Sequence, residues 1–325
     1  MDVDAFISLG SNLGDRRAIL DAALDAIKRI QGVDLAAVSS YHETFPVGGP
    51  PGQGPFLNAA ASLLTSLSPH ELLGQLQRIE ADAGRVRKVR WGERTLDLDL
   101  LVHGSTFLDE PGLQVPHPRL AFRRFVLAPL SEIAPSLVDP GTMQTIAALL
   151  ANLDRLPRFL AIDGPSGPDR AALFRRLVDE LPGFGLCEMD VTSPTTSTDD
   201  PAEALLAPLR RKFDALRPAH WPAEGLRVPW IVADFFLDFD RYRVAESTWW
   251  NSLPRLEWVD RRQSFQDSLS DLSTRPILAP TLAVILPGDP RSPFQSRFPL
   301  LRPDSTNLVA IVAEVLATCR GIQGD

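Results

Sequence analysis

Between Thr95 and Val102 leucines and aspartates alternate, Leu96, Leu98 and Leu100 interleaving with Asp97 and Asp99. Side chains on a strand point to opposite faces in turn, so this period of two makes one face apolar and the other acidic. A helix would scatter both sets around its circumference. The segment therefore specifies a strand with its leucines in a core and two carboxylates together on the other face, about 7 Å apart along the chain.

Directly before this strand, Arg85, Arg87, Lys88, Arg90 and Arg94 crowd a short loop around Trp91. A hard cation such as Mg²⁺ takes carboxylate oxygens plus substrate phosphates, and arginine pairs well with those phosphates. The D-x-D pair alone also fits an acidic edge strand beside a solvated basic loop. The arginine cluster favours the other possibility, a clamp for a metal-bound polyphosphate.

With 325 residues the chain has room for two domains, each able to bury its own core. A hydrophobic share of 44% and a charged share of 23% belong to a soluble globular protein. No apolar run approaches the ~18 residues of a membrane span, and MDVDAFISLGSN lacks a secretory signal, which places the chain in the cytoplasm. Two cysteines, Cys187 and Cys319, support neither a disulfide framework nor a cysteine zinc site. A net charge of −8 counts against nucleic acid as a partner, and the basic loop suits a small anion better.

Residues 3–9 read as a buried strand, and Asp15 as the N-cap of a helix to about Ile30. Leu35 to Thr44 suggests a second strand, VGGPPGQGP (47–55) a mobile loop and Phe56 to Leu64 a third strand. Ser68-Pro69-His70-Glu71 is a capping box opening a helix to about Ala83, with Gln77 and Glu80 on one face near its end. The 95–102 strand follows. Phe125 is placed on a strand, and a short helix around Met143 to Leu153 closes the unit. The irregular alternation suggests an α+β sandwich on a mostly antiparallel sheet, ending at the linker LDRLPR (153–158). His117, between two prolines, is rigidly held, whereas His42, His70, His103 and His220 read as surface or capping residues.

Residues 1–155 resemble the 6-hydroxymethyl-7,8-dihydropterin pyrophosphokinase family. The matching pieces are SLGSNLGDR (8–16), SSYHET (39–44), FLNAA (56–60), QRIEADAGRVR (77–87), RWGERTLDLDLL (90–101), VPHPRL (115–120) and RRFVLAPLSEIAP (123–135). The resemblance implies a ferredoxin-like α+β sandwich. It also implies transfer of pyrophosphate from ATP to the dihydropterin hydroxymethyl group, releasing AMP, in folate biosynthesis. Asp97 and Asp99 match the carboxylates that hold two Mg²⁺ ions against the ATP phosphates. Arg85 and Arg94 match arginines on the substrate phosphates, and Arg87 matches one that closes over ATP. Gln77, Glu80, His117 and Arg123 match positions lining the nucleotide site. Phe56 and Phe125 match the two aromatics that stack the pterin, and Asn58 a side chain on its ring edge. Thr44 lies where backbone groups contact that edge, and Trp91 belongs to the closing loop. Glu93 and Phe45 stand where the family commonly has proline, and the arginine loop is one residue shorter than in some members.

Residues 159–325 begin FLAIDGPSGPDRAALFRRLVDEL, the order strand, glycine turn and amphipathic helix. They resemble the deoxynucleoside kinases, which implies an α/β P-loop domain with a parallel sheet. In that loop backbone N–H groups and a lysine cradle phosphate. Here Asp169, Arg170 and Ala171 stand in the places of the last glycine, the lysine and the hydroxyl that binds Mg²⁺. The expectation is a degenerate, non-catalytic domain serving stability or self-association. A still active nucleoside kinase, and a non-enzymatic interaction protein, are the alternatives.

Overall fold

The computed structural model describes residues 2–85, 92–164, 168–187, 201–217, 230–235, 263–271, 280–287 and 298–323. The arginine-loop residues Arg87 and Trp91, the glycine turn at 165–167 and the TSPTTSTDD run lie outside them. The chain divides into two compact units. The first is Met1–Arg155 with Pro293–Leu301 and Ala313–Asp325, and the second is Leu156–Ser292 with Arg302–Val312. The sequence puts its boundary in the same linker but assigns everything beyond 159 to the second half. A terminal helix rich in Leu, Val and Ala declares that it is buried, not against which core.

The first unit is built on strands β1 (Val3–Ser11), β2 (Val33–Val38), β3 (His42–Thr44), β4 (Phe56–Thr65) and β5 (Asp97–His103). They lie in the order β2-β4-β1-β5, with β3 also on β4, and every pairing is antiparallel. Helix α1 (Arg16–Ile27) is capped by Asp15, whose Oδ1 accepts the Ala18 N–H at 3.1 Å. Helix α2 (Pro69–Asp82) opens with the capping box of Ser68 and Glu71. Leu20, Leu24, Ile27, Leu72 and Leu76 from these helices pack on Ile7, Leu9, Ala61, Leu96, Leu98 and Leu100 of the sheet and its approach. Full burial of each leucine contributes roughly 1.5–3 kcal/mol. The core thus holds β5 by its leucines and turns its aspartates to the opposite face.

The sequence predicts one strand over 35–44, and the structure breaks it in two. Ser39 Oγ accepts the Ala60 N–H at 2.9 Å, and Ser40 donates its N–H to Glu132 Oε2 at 2.8 Å. These side-chain bonds compete with the ladder and interrupt it. Phe125 sits on helix α3 (Arg124–Ile133), not on a strand. A short apolar run such as FVLAPL reads alike as buried strand or buried helix, and packing decides between them. Helix α4 (Ile146–Asp154) follows. His103 is buried rather than superficial, its ring Nε2 2.9 Å from the Leu67 carbonyl oxygen.

In the second unit the strands Gly183–Leu186, Trp230–Ala233, Arg158–Asp163 and Leu282–Ile285 lie side by side in that order, and their pairings are parallel. Helix Pro168–Glu180 follows the strand Arg158–Asp163 and buries Leu173 and Leu177. Among the described residues no helix is long and apolar enough to cross a membrane.

Candidate active site

The register of the first sheet sets out one face of a cleft. Gly10 on β1 pairs with Asn58 on β4 on one side and with Asp97 on β5 on the other. Ser8 pairs likewise with Asp99. A Cβ on Gly10 would lie 3.0 Å from Asn58 Oδ1, so glycine gives that side chain its room. Asn58 is 6% exposed and donates its Nδ2 to Thr44 Oγ1 at 2.8 Å. Two residues earlier Phe56 joins the same face, because strand side chains repeat every second position.

Arginines ring the aspartates. Arg94 is ion-paired with Asp97, whose Oδ1 also lies 2.7 Å from Arg85 Nη2. Arg123 Nη1 is 3.5 Å from Asp99 Oδ2, and its guanidinium carbon lies 5.4 Å from the centre of the Phe125 ring. One cation thus touches both the acidic and the aromatic part of the cleft. Burial is the main cause lowering the Arg123 pKa below its ordinary value, opposed by Asp99. His117 Nε2 is 4.0 Å from Asp99 Oδ2. Burial, then the nearby charges of Arg123 and Arg119, hold its imidazole well below 6.5, so at neutral pH it carries no charge.

Thr44, Phe56, Asn58, Arg94, Asp97, Asp99, Arg123 and Phe125 all line this one cleft. Arg85 and His117 reach it through the aspartates. Glu80 lies beneath β5, 3% exposed, accepting the Leu98 N–H at 2.8 Å and paired with Arg85. Gln77 is exposed on α2 and is not among the residues lining the cleft. Arg87 and Trp91 lie outside the described residues.

Other residues of the site are not among the candidates the sequence offers. Asn12 exchanges hydrogen bonds with Arg94, its Oδ1 accepting the Arg94 N–H at 2.7 Å and its own N–H donating to the Arg94 carbonyl at 3.1 Å. Its Nδ2 donates to Gly54 O at 3.3 Å, so one buried amide ties the end of the arginine loop to the end of the glycine loop. The polar turn after β1 was the available hint. Arg119 and Phe45 also line the cleft, as do Ala317, Thr318 and Gly321 from the helix Leu308–Gln323.

Among the described residues no group of three His, Cys, Asp or Glu stands together as a metal site. Two carboxylates on one strand face fit Mg²⁺, which usually completes its shell with water and substrate phosphate oxygens.

Fold and cleft together define a small α+β domain that brings carboxylates, arginines and two phenylalanines to one cleft. The chain belongs to the 7,8-dihydro-6-hydroxymethylpterin-pyrophosphokinase family, whose profile matches residues 6–135. It is 45% identical over 156 residues to a 2-amino-4-hydroxy-6-hydroxymethyldihydropteridine pyrophosphokinase of Pseudomonas aeruginosa, covering 96% of that protein and 47% of this chain. The Haemophilus influenzae protein of the same name is 46% identical over 140 residues, covering 87% of that protein and 43% of this chain. The Bacillus subtilis one is 46% identical over 138 residues, covering 82% of that protein and 42% of this chain. A solved HPPK-DHPS chain of Plasmodium falciparum overlaps with a TM-score of 0.38 at 12% identity, across 88% of this chain and 64% of that one. That likeness is too low to bear on the second unit.

Proposed function

We propose that residues 1–155, a ferredoxin-like sandwich, transfer pyrophosphate from ATP to 6-hydroxymethyl-7,8-dihydropterin and release AMP, a step of folate biosynthesis. The observation that carries this reading is the row Asp97, Gly10, Asn58 across three strands. On this reading the carboxylate serves the phosphate end and the amide the pterin edge, with two strand spacings, about 10 Å, between them.

Phe56 and Phe125 stack the flat ring, while Asn58, oriented by Thr44, meets its polar edge. Asp97 and Asp99 hold Mg²⁺, two ions on the family pattern, which supplies charge neutralisation on the phosphate oxygens when bound. Arg94 and Arg123 receive the polyphosphate, and Arg85 shifts from Asp97 toward it. Arg87 and Trp91 close over the substrates. His117, whose Nδ1 accepts the Arg119 N–H, offers its Nε2–H to the nucleotide. The pterin hydroxyl oxygen bonds to the β-phosphorus of ATP, and the bond from that phosphorus to the α–β bridging oxygen breaks. AMP leaves with the bridging oxygen, and the hydroxyl proton is lost to solvent. Positioning and electrostatics account for most of such a transfer.

For the second unit the same proposal is a P-loop-derived domain that no longer transfers phosphate. Arg170, in the place of the phosphate-binding lysine, is 8% exposed and lies 3.6 Å from the buried Asp163 carboxylate. A cation engaged by a buried acid is a poor phosphate ligand, and Asp169 adds like-charge repulsion. The remaining role is stability or association.

Purified full-length chain with Mg-ATP, offered the hydroxymethyl dihydropterin or a panel of nucleosides, tests both parts. AMP is expected with the pterin alone, and Asp97→Ala is expected to abolish it. Retained activity in that variant sinks the metal assignment, and ADP formed with a nucleoside sinks the non-catalytic reading of the second unit.

A further inference from the structure

The family match ends at residue 135, yet part of the cleft is lined by Ala317, Thr318 and Gly321. All three belong to the first compact unit, in the helix Leu308–Gln323. Two contacts seat this stretch. Glu314, 2% exposed, is ion-paired with Arg119 of the cleft. Seven residues on, Gly321 lies against the loop that follows Thr44, where a Cβ would come within 2.7 Å of Val47 Cγ2. Seven residues of helix rise about 10 Å, so the stretch runs alongside the cleft from its arginine end to the loop beside the pterin edge. Arg124 adds a third tie, its Nε 3.4 Å from the Ile322 carbonyl.

Spacing fixes which side faces the ligand. Residues three and four apart share a helix face, so seating Glu314 on Arg119 brings 317 and 318 to the cleft, and 321 after them. A buried carboxylate is costly away from its partner, which holds the helix in this rotation. The side chains presented there are small, so the distance from helix to ring is set by Ala317 and Thr318.

We propose that this helix is the outer wall of the pterin half of the cleft, and that Thr318 and Ala317 limit the size of heterocycle this chain accepts. A flat bicyclic ring carrying only a short substituent fits, and a ring bulkier on the helix side does not. The proposal rests on the pterin reading of the cleft.

The test uses the full-length chain and two substitutions, Thr318→Phe and the near-isosteric Thr318→Val. Binding of 6-hydroxymethylpterin is followed by its own fluorescence with Mg²⁺ and a non-hydrolysable ATP analogue. Binding of the analogue alone is measured by calorimetry, and the melting temperature reports folding. Thr318→Phe is expected to weaken pterin binding tenfold or more while the analogue binds within about twofold of wild type, and Thr318→Val is expected to bind both normally. Thr318→Leu repeats the measurement at smaller volume if Phe lowers the melting temperature. Unchanged pterin affinity in a folded Phe or Leu variant overturns the wall while leaving the pterin reading intact. A wild-type chain that binds no pterin overturns both.

Discussion

Glu80 Oε1 accepts the backbone N–H of Leu98 at 2.8 Å, so a carboxylate from α2 pins β5 midway between its two aspartates. The same Glu80 is paired with Arg85, which in turn reaches Asp97. The resemblance assigns Glu80 to the nucleotide site, and its position beneath the strand makes it a support for the Asp97–Asp99 pair. Removing it leaves a buried N–H without an acceptor and a cation short of one partner. Glu80→Ala is therefore expected to destabilise the first unit by about 2–3 kcal/mol in urea unfolding. Glu80→Gln, which still accepts a hydrogen bond, is expected to cost less. Equal losses for the two would show that the bond to Leu98 contributes nothing.

Asn58 is held in one orientation by Thr44 and by the absence of a side chain on Gly10. A polar heterocycle docked on a leucine there would lose its directed hydrogen bonds and leave its own polar edge unmatched. Asn58→Leu is expected to raise the KM for the pterin by about tenfold or more with the KM for ATP little changed. An equal rise in both constants would place Asn58 in general support of the cleft instead.

The Glu314–Arg119 pair joins side chains that are 3% and 18% exposed. Breaking a buried pair from one side leaves an uncompensated charge behind. Glu314→Ala is expected to cost about 3 kcal/mol, read as a lower urea midpoint, and the double variant with Arg119→Met is expected to recover part of it. Additive losses in the double variant would remove the pairing from the list of what seats this helix.

Tyr41 donates its hydroxyl to Asp21 Oδ1 at 2.5 Å. Burial first, and then this bond to a carboxylate, push its pKa from 10.0 up to about 12. The neutral phenol is thus favoured in the folded chain, and the unfolded chain loses its proton first. The stability contributed is fully present below pH 10 and is lost as pH rises from 10 toward 12. The chain has two tyrosines, so the ultraviolet absorbance of phenolate, compared between wild type and Tyr41→Phe, isolates this group. Tyr41 ionising near pH 10 in the folded protein would contradict the assignment.

Much of this was legible along the chain. The alternation from Leu96 to Leu100 sets the burial of β5, because a two-residue period admits one apolar face and strand geometry alone fixes which residues share it. Asp15 and the Ser68–Glu71 box mark helix starts by local hydrogen bonds that need no partner from elsewhere. Phe125 was not legible in the same way, since its apolar run is compatible with a strand or a buried helix until α3 packs against the sheet. Nor was the break at Ser39–Ser40, which depends on Glu132 arriving from a distant helix.

The sequence by itself determined the acidic strand, its arginine approach and the family motifs, since each is a pattern of neighbours or near neighbours. Tertiary structure alone decided that Gly10 would sit between Asn58 and Asp97 and that Asn12 would tie two loops together. It also decided that a helix beginning at residue 308 would supply Ala317 and Thr318 to a cleft built in the first 125 positions. These relations rest on sheet register and on the burial of Glu314 against Arg119, which join residues far apart in the chain. Long-range packing of that kind leaves no local period to read.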